Sequence, residues 1–199
     1  MLLAWSAMAN HRRECMTPRH KVFISYHHDN DQAYKEQFEK LFEDRHEIIV
    51  SRAVGMGDIN ESLPTETIRQ KIRDKYLSDS TVTVVLIGSQ TWQRKHVDWE
   101  ISSSLRDTEN SSRSGLLGIL LPTYPLYAQK KYVKSTVPPR LYDNLVNRPT
   151  PFAQMYLWSS DPASVKTWIH DAFLRRDTVL PDNSRDLFAK NRSGDGWTD

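Results

Sequence analysis

Apolar residues in this chain recur with two periods, and the alternation between them lays out the fold. "KVFIS" at 21–25 is a short apolar run of strand type, and Tyr34, Phe38, Leu41 and Phe42 behind it recur at i, i+4, i+7 and i+8, the spacing of an amphipathic helix. Asp29 and Gln32 have capping-box spacing and are expected to open that helix. "EIIV" at 47–50 is a second strand, followed by the loop "SRAVGMGDINESL" with its two glycines. Pro64 suits a first helical turn, and Ile68 and Ile72 mark the apolar face of the helix it starts. "TVTVVLI" at 81–87 is strongly β-branched and lacks polar alternation, so both of its faces are expected to be covered, as in the middle of a parallel sheet.

Val97, Ile101 and Leu105 repeat at i, i+4 and i+8 and predict a third helix, with "GLLGILL" at 115–121 as the next strand. The order β-α-β-α-β-α-β predicts an open α/β sheet with right-handed crossovers and helices on both faces. Residues 122–152 are proline-rich and read as irregular, including "VPPRLYDN", while "QMYLW" at 154–158 supplies a fifth strand. Asp161 and Pro162 have N-cap and N1 character, and Val165, Trp168, Ile169, Ala172 and Phe173 form the clearest helical stripe in the chain. From Asp177 onward the sequence is polar and is expected to form a loosely held tail, residues 177–199; residues 1–19 are expected to be a flexible arm.

Charge narrows the partners. With 27 basic and 25 acidic residues the formal net charge is +2, and the basic residues are scattered, which argues against nucleic acid. A lone cysteine, Cys15, rules out an internal disulfide framework and fits a reducing compartment, the cytoplasm by default. "MLLAWSAMAN" is apolar over too few residues and lacks the basic start of a signal peptide, and no stretch is long enough for a membrane span.

In an open parallel sheet the ligand crevice lies beyond the carboxyl ends of the strands. Three stretches converge there: "SYHHDN" after the first strand, "SRAVGMGD" after the second and "GSQTW" after the third. No phosphate-binding glycine loop, zinc-protease, nucleophile-elbow or CxxC signature is present. His27 and His28 lie beside Asp29, but adjacent loop residues rarely aim at one ion, so no metal is expected. In "HVDWEISSSL" at 96–105, Glu100 lies at the edge of the stripe through Val97 and Ile101, next to Trp99. A carboxylate there is open to partial desolvation, with a raised pKa or an enforced hydrogen bond as the consequence. A solvated helical glutamate accounts for the same pattern.

"VFISYHHDN", "TVTVVLIGSQT" and "VDWEI", in this order and spacing, resemble the TIR-like domains of bacteria, in particular the branch that serves Thoeris anti-phage defence. The resemblance covers about residues 20–176, and "VPPRLYDN" followed by "YLW" is similar to that branch's C-terminal part. It implies a flavodoxin-like three-layer α/β sandwich with about five parallel strands. It further implies an enzyme that cleaves the nicotinamide–ribose bond of NAD, with NAD as substrate and no separate cofactor. In the Thoeris branch the product is a cyclic ADP-ribose isomer, an immune signal read by a companion effector protein; self-association is also a family trait. By motif, Glu100 takes the catalytic place. Ser25 and Tyr26 match the cleft wall, Asp58 falls in the loop that lids the site in relatives, and Trp92 and Trp99 are candidates for contact with the substrate. Tyr26, Trp92 and Trp99 fit packing roles as well, and Asp58 a turn. Many TIR domains have tryptophan four residues before the glutamate, where this chain has His96. A non-catalytic adaptor that works by protein–protein contact is the competing reading, since one fold of this kind hosts many functions.

Overall fold

The structure, a computed structural model, describes residues 19–44, 48–50, 63–108, 111–146 and 149–198. The expectations for the N-terminal arm, for Cys15 and for Asp58 fall outside the described residues. Five parallel strands form one sheet: β1 (His20–Ser25), β2 (Ile48–Val50), β3 (Val82–Ile87), β4 (Gly115–Leu120) and β5 (Ala153–Leu157). Their order is β2-β1-β3-β4-β5, the flavodoxin-like arrangement. From β1 the chain steps one way to β2 and then back past β1 to β3. The sequence of strands therefore reverses between β1 and β3, and an open α/β sheet has its crevice at such a switch point.

All six residues of β3 and all six of β4 are buried, as their unbroken apolar runs require of strands covered on both faces. On one face α1 (His28–Lys40) and α5 (Pro162–Thr178) pack Phe38, Val165, Ile169 and Ala172 against Val22, Ile24, Val84 and Leu117. On the other lie α2 (Thr65–Ile72), α3 (Lys95–Ser104) and α4 (Pro139–Val146), contributing Ile68, Ile72, Val97, Ile101 and Leu141. A π-helical turn, Arg73–Leu77, extends α2.

Several expectations need correction. α1 begins one residue before Asp29. Its N-cap is His27, whose Nδ1 accepts the Asn30 N–H at 3.1 Å, while Gln32 is taken up by Tyr26 and Glu36. A neutral imidazole can fill this acceptor role, and burial holds the His27 pKa below its ordinary value. "VPPRLYDN" is not irregular: Pro139 opens α4, as proline can at a first helical turn.

The tail is not loosely held either. Phe188 and Trp197 are buried, the Trp197 Nε1–H donates to the Val137 carbonyl at 2.7 Å, and the Trp99 Nε1–H donates to the Phe188 carbonyl at 2.9 Å. Residues 182–198 thus form a strap across α3 and α4, fastened by a few anchors in an otherwise polar sequence.

Close packing of α5 on β4 depends on Gly115, where a Cβ would stand 2.2 Å from the Ala172 carbonyl oxygen. Gly115→Ala is expected to lower stability by about 2–3 kcal/mol, the usual cost of overpacking against atoms that cannot withdraw. Denaturant unfolding reads this out, and a loss within about 0.5 kcal/mol would contradict the contact.

Candidate active site

Ser25 is the last residue of β1, and alternation along the strand puts it on the same face as Phe23, the face covered by α2 and α3. There its Oγ–H donates to Glu100 Oε2 at 2.5 Å. Both residues are buried, Ser25 at 0% and Glu100 at 2% exposure. Burial pushes the Glu100 carboxyl up from the ordinary 4.5 to about 8, with the Ser25 hydroxyl pulling modestly the other way. In the ligand-free protein at neutral pH this carboxyl is therefore mostly protonated.

Next to Ser25, Tyr26 stacks on the His28 imidazole with ring centroids 4.4 Å apart, and its hydroxyl donates to Gln32 Oε1 at 2.6 Å. The phenol is pushed up to about 12, first by burial and then by the charge of Glu100 when that group is ionised. His28 is held below its ordinary pKa by burial and then by His96. His96, which stands where many TIR domains have tryptophan, meets the Trp99 ring edge-on with centroids 5.3 Å apart.

The sequence candidates separate into two groups. Ser25, Tyr26 and Glu100 come together at the end of β1, beside the switch point. Trp99 instead packs with Phe23, Ile68, Ile72 and Leu77. Trp92, in the 3-10 turn Thr91–Gln93, is buried against the strap. It lines a cavity of about 670 Å³ together with Phe188, Arg192 and Trp197, and Glu100 is not among that cavity's lining residues. Among the described residues no group of three or more His, Cys, Asp or Glu side chains is placed to hold a metal ion.

Composition and periodicity did not single out Asp31. It is fully buried in the first turn of α1 and accepts from the Thr123 hydroxyl at 3.0 Å and, more weakly, the Thr91 hydroxyl at 3.4 Å. The segments after β3 and β4 are thereby tied to the start of α1. Residue 88 must be glycine in this arrangement, because a Cβ there would lie 2.4 Å from both Asp31 carboxylate oxygens. The acidic run "DND" was the only available signal, and helix capping explained it equally well.

The family model for the Thoeris protein ThsB, TIR-like domain, matches residues 23–125, more than half of the chain and all of β1 from Phe23 through α3 and β4. The chain belongs to the ThsB TIR-like family. No curated protein matches this ThsB-type chain. Among solved structures, the TIR domains of the activated Roq1 resistosome directly recognizing the pathogen effector XopQ are 13% identical to it. That comparison covers 80% of this chain and 85% of the other, at a TM-score of 0.35.

Glu100 also makes stability depend on pH. Its folded-state pKa lies above the unfolded value, so between about pH 4.5 and 8 the folded state holds the extra proton, and stability falls as pH rises through that window. The slope from this one group is at most about 1.4 kcal/mol per pH unit. Glu100→Gln, which cannot ionise, is expected to match wild type near pH 4, below the unfolded pKa, and to exceed it in Tm at pH 8–9. Melting curves across that range test this, and parallel wild-type and variant profiles would refute it.

Proposed function

We propose that this ThsB-type protein is a cytoplasmic NAD-cleaving enzyme in which Glu100 stabilises the transition state for loss of nicotinamide. The observation that carries the reading is the placement of Glu100. It is a buried carboxyl bonded to a strand-end serine beside the switch point of the sheet, with a pKa far from that of a surface glutamate. Family membership adds to it, because NAD cleavage is a recurrent activity of TIR domains.

The nicotinamide ring nitrogen already bears a positive charge, so the C1′–N bond breaks with its electron pair leaving on neutral nicotinamide, and no general acid is needed. The ribose passes through an oxocarbenium-like state, as in glycoside hydrolysis. An approaching cationic ring favours the ionised form of Glu100, which is then in place as positive charge develops on the sugar. Ser25 remains the donor that holds one carboxylate oxygen. Attack by water on C1′ gives ADP-ribose and a proton; attack by a hydroxyl of the same molecule gives a cyclic isomer and a proton. The second route requires the substrate to be folded and water excluded, and the stacked rings of Tyr26 and His28 next to Ser25 suit that requirement. On the Thoeris pattern, the cyclic isomer is the signal passed to a companion effector.

Mass spectrometry of small-molecule filtrates from infected cells tests the proposal. Wild type is expected to yield an ADP-ribose-like species, lighter by one water if cyclic. Glu100→Gln should reduce it about 100- to 1000-fold, the equivalent of roughly 3–4 kcal/mol. Ser25→Ala should cost about 10-fold by removing one hydrogen bond to a charged group. Equal product from wild type and Glu100→Gln, both folded and expressed, would remove Glu100 from the chemistry.

A further inference from the structure

On α3, Asp98 lies two positions before Glu100, or about 200° around the helix axis, so the two carboxyls leave the helix on opposite sides. Asp98 would face solvent if α3 were a surface helix; instead it is 2% exposed. It is met by Arg140 of α4, itself 1% exposed, with Nε 3.0 Å from Oδ1 and a second guanidinium nitrogen 3.4 Å from Oδ2. The same guanidinium donates to Asn183 Oδ1 at 2.8 Å and to the Asp186 carbonyl at 3.1 Å. Asp98 also accepts the Phe188 backbone N–H at 3.0 Å.

The strap holds α3 at further points along its length. Asn183 donates to the Ser102 carbonyl at 3.0 Å and accepts the Ser102 hydroxyl at 3.1 Å. Asn191 Oδ1 accepts the Lys95 N–H at 3.0 Å, capping a helix whose own N-cap residue, Arg94, supplies no side-chain cap. The side of α3 turned away from Glu100 is therefore fastened by a buried ion pair and by the strap over about two turns.

We infer that the C-terminal strap is a positioning element of the active site, holding α3 through Asp98, Arg140 and Asn183 so that the Glu100 carboxyl stays against Ser25. As a catalytic statement this rests on the reading of Glu100 proposed above. Arg140 and Asn183 touch no reacting atom; they act through the helix. A small displacement of a catalytic group can cost about 100-fold in rate, so a rigid mount for α3 has a direct kinetic consequence.

Two charge-preserving variants test it: Arg140→Lys, which keeps the cation but loses the two-pronged contact, and Asn183→Ala, which frees the strap from Ser102 and Arg140. Neither changes the formal charge around Glu100. The first readout is the Glu100 carboxyl titration followed by infrared spectroscopy on the full chain without substrate, the band being assigned by its absence in Glu100→Gln. Wild type should titrate near 8, and the variants lower by about one pH unit or more as water reaches the carboxyl. The second is NAD cleavage, where kcat is expected to fall about 10- to 100-fold while KM moves less than about threefold.

Folded variants with a lowered Tm but wild-type Glu100 titration and wild-type kcat would make the strap structural only and overturn the inference. If Arg140→Lys fails to fold, Asn183→Ala decides alone. If wild type cleaves no NAD, the functional proposal fails, while the infrared titration still decides whether the strap positions Glu100.

Discussion

The fold turns on the cost of surrounding a helix that carries two carboxyl groups. Every residue of α3 from Val97 to Ser104 is buried, and Asp98 and Glu100 are among them. An isolated ionised carboxylate cannot be buried without a partner, and the structure answers that constraint differently on each side of the helix. Asp98 has a two-pronged arginine, whose remaining donors are used by the strap. Among the described residues Glu100 has only the Ser25 hydroxyl, so its charge is given up instead. Removing one partner of a buried pair typically costs about 3–5 kcal/mol, which makes the Asp98–Arg140 contact the point at which α4, α3 and the strap hold or separate together.

Other buried polar groups complete the mount. Arg73, from the π-helical turn after α2, donates to the Ser103 carbonyl at 3.3 Å and to the Ser111 carbonyl at 2.9 Å, and it also reaches the Ser112 carbonyl. A cation at the carboxyl end of α3 suits the partial negative charge of the helix dipole there. The opposite end is capped by Asn191. On the sheet's other face, Asp31 does for the loops what Asp98 does for the helix. It joins the start of α1 to the segments after β3 and β4, so that the rim around Ser25 and Tyr26 is built from tied rather than independent loops.

The strands were legible in the sequence because two-sided burial writes itself as continuous apolar runs, and "TVTVVLI" and "GLLGILL" became β3 and β4 within a residue at each end. α3 was legible for a related reason, its stripe of Val97, Ile101 and Leu105. The edge position of Glu100 followed from that stripe. What escaped was everything held by contacts distant in sequence. Asp98 and Arg140 are 42 residues apart and carry no local period that links them. The strap is polar, with single anchors at Phe188 and Trp197, and isolated apolar residues look like those of any exposed tail. The segment with the paired prolines was read as irregular, although Pro139 opens α4 and proline at a first helical turn has no hydrogen bond to lose. Trp99 was open to two readings, substrate contact and packing; it lies one residue before Glu100, and its ring packs with Phe23 and Ile72.

The way Glu100 is held also bears on substrate charge. Burial and the Ser25 hydroxyl set its pKa among the described residues, and no cation among them enters that balance. On that balance, a cation that binds beside it supplies energy for ionising it. A neutral sugar derivative would leave the carboxyl protonated, and an anionic group brought close would raise its pKa further. A pyridinium-bearing ribose does the reverse: it supplies the positive charge beside the carboxyl and then moves that charge onto the sugar as the bond breaks. On the proposed chemistry, once nicotinamide leaves neutral and the ribose is capped by a hydroxyl, the stabilising cation is gone and Glu100 returns toward its protonated state. On that chemistry, a buried carboxyl with no cation beside it among the described residues favours cationic substrate over neutral product, which assists both selection and release.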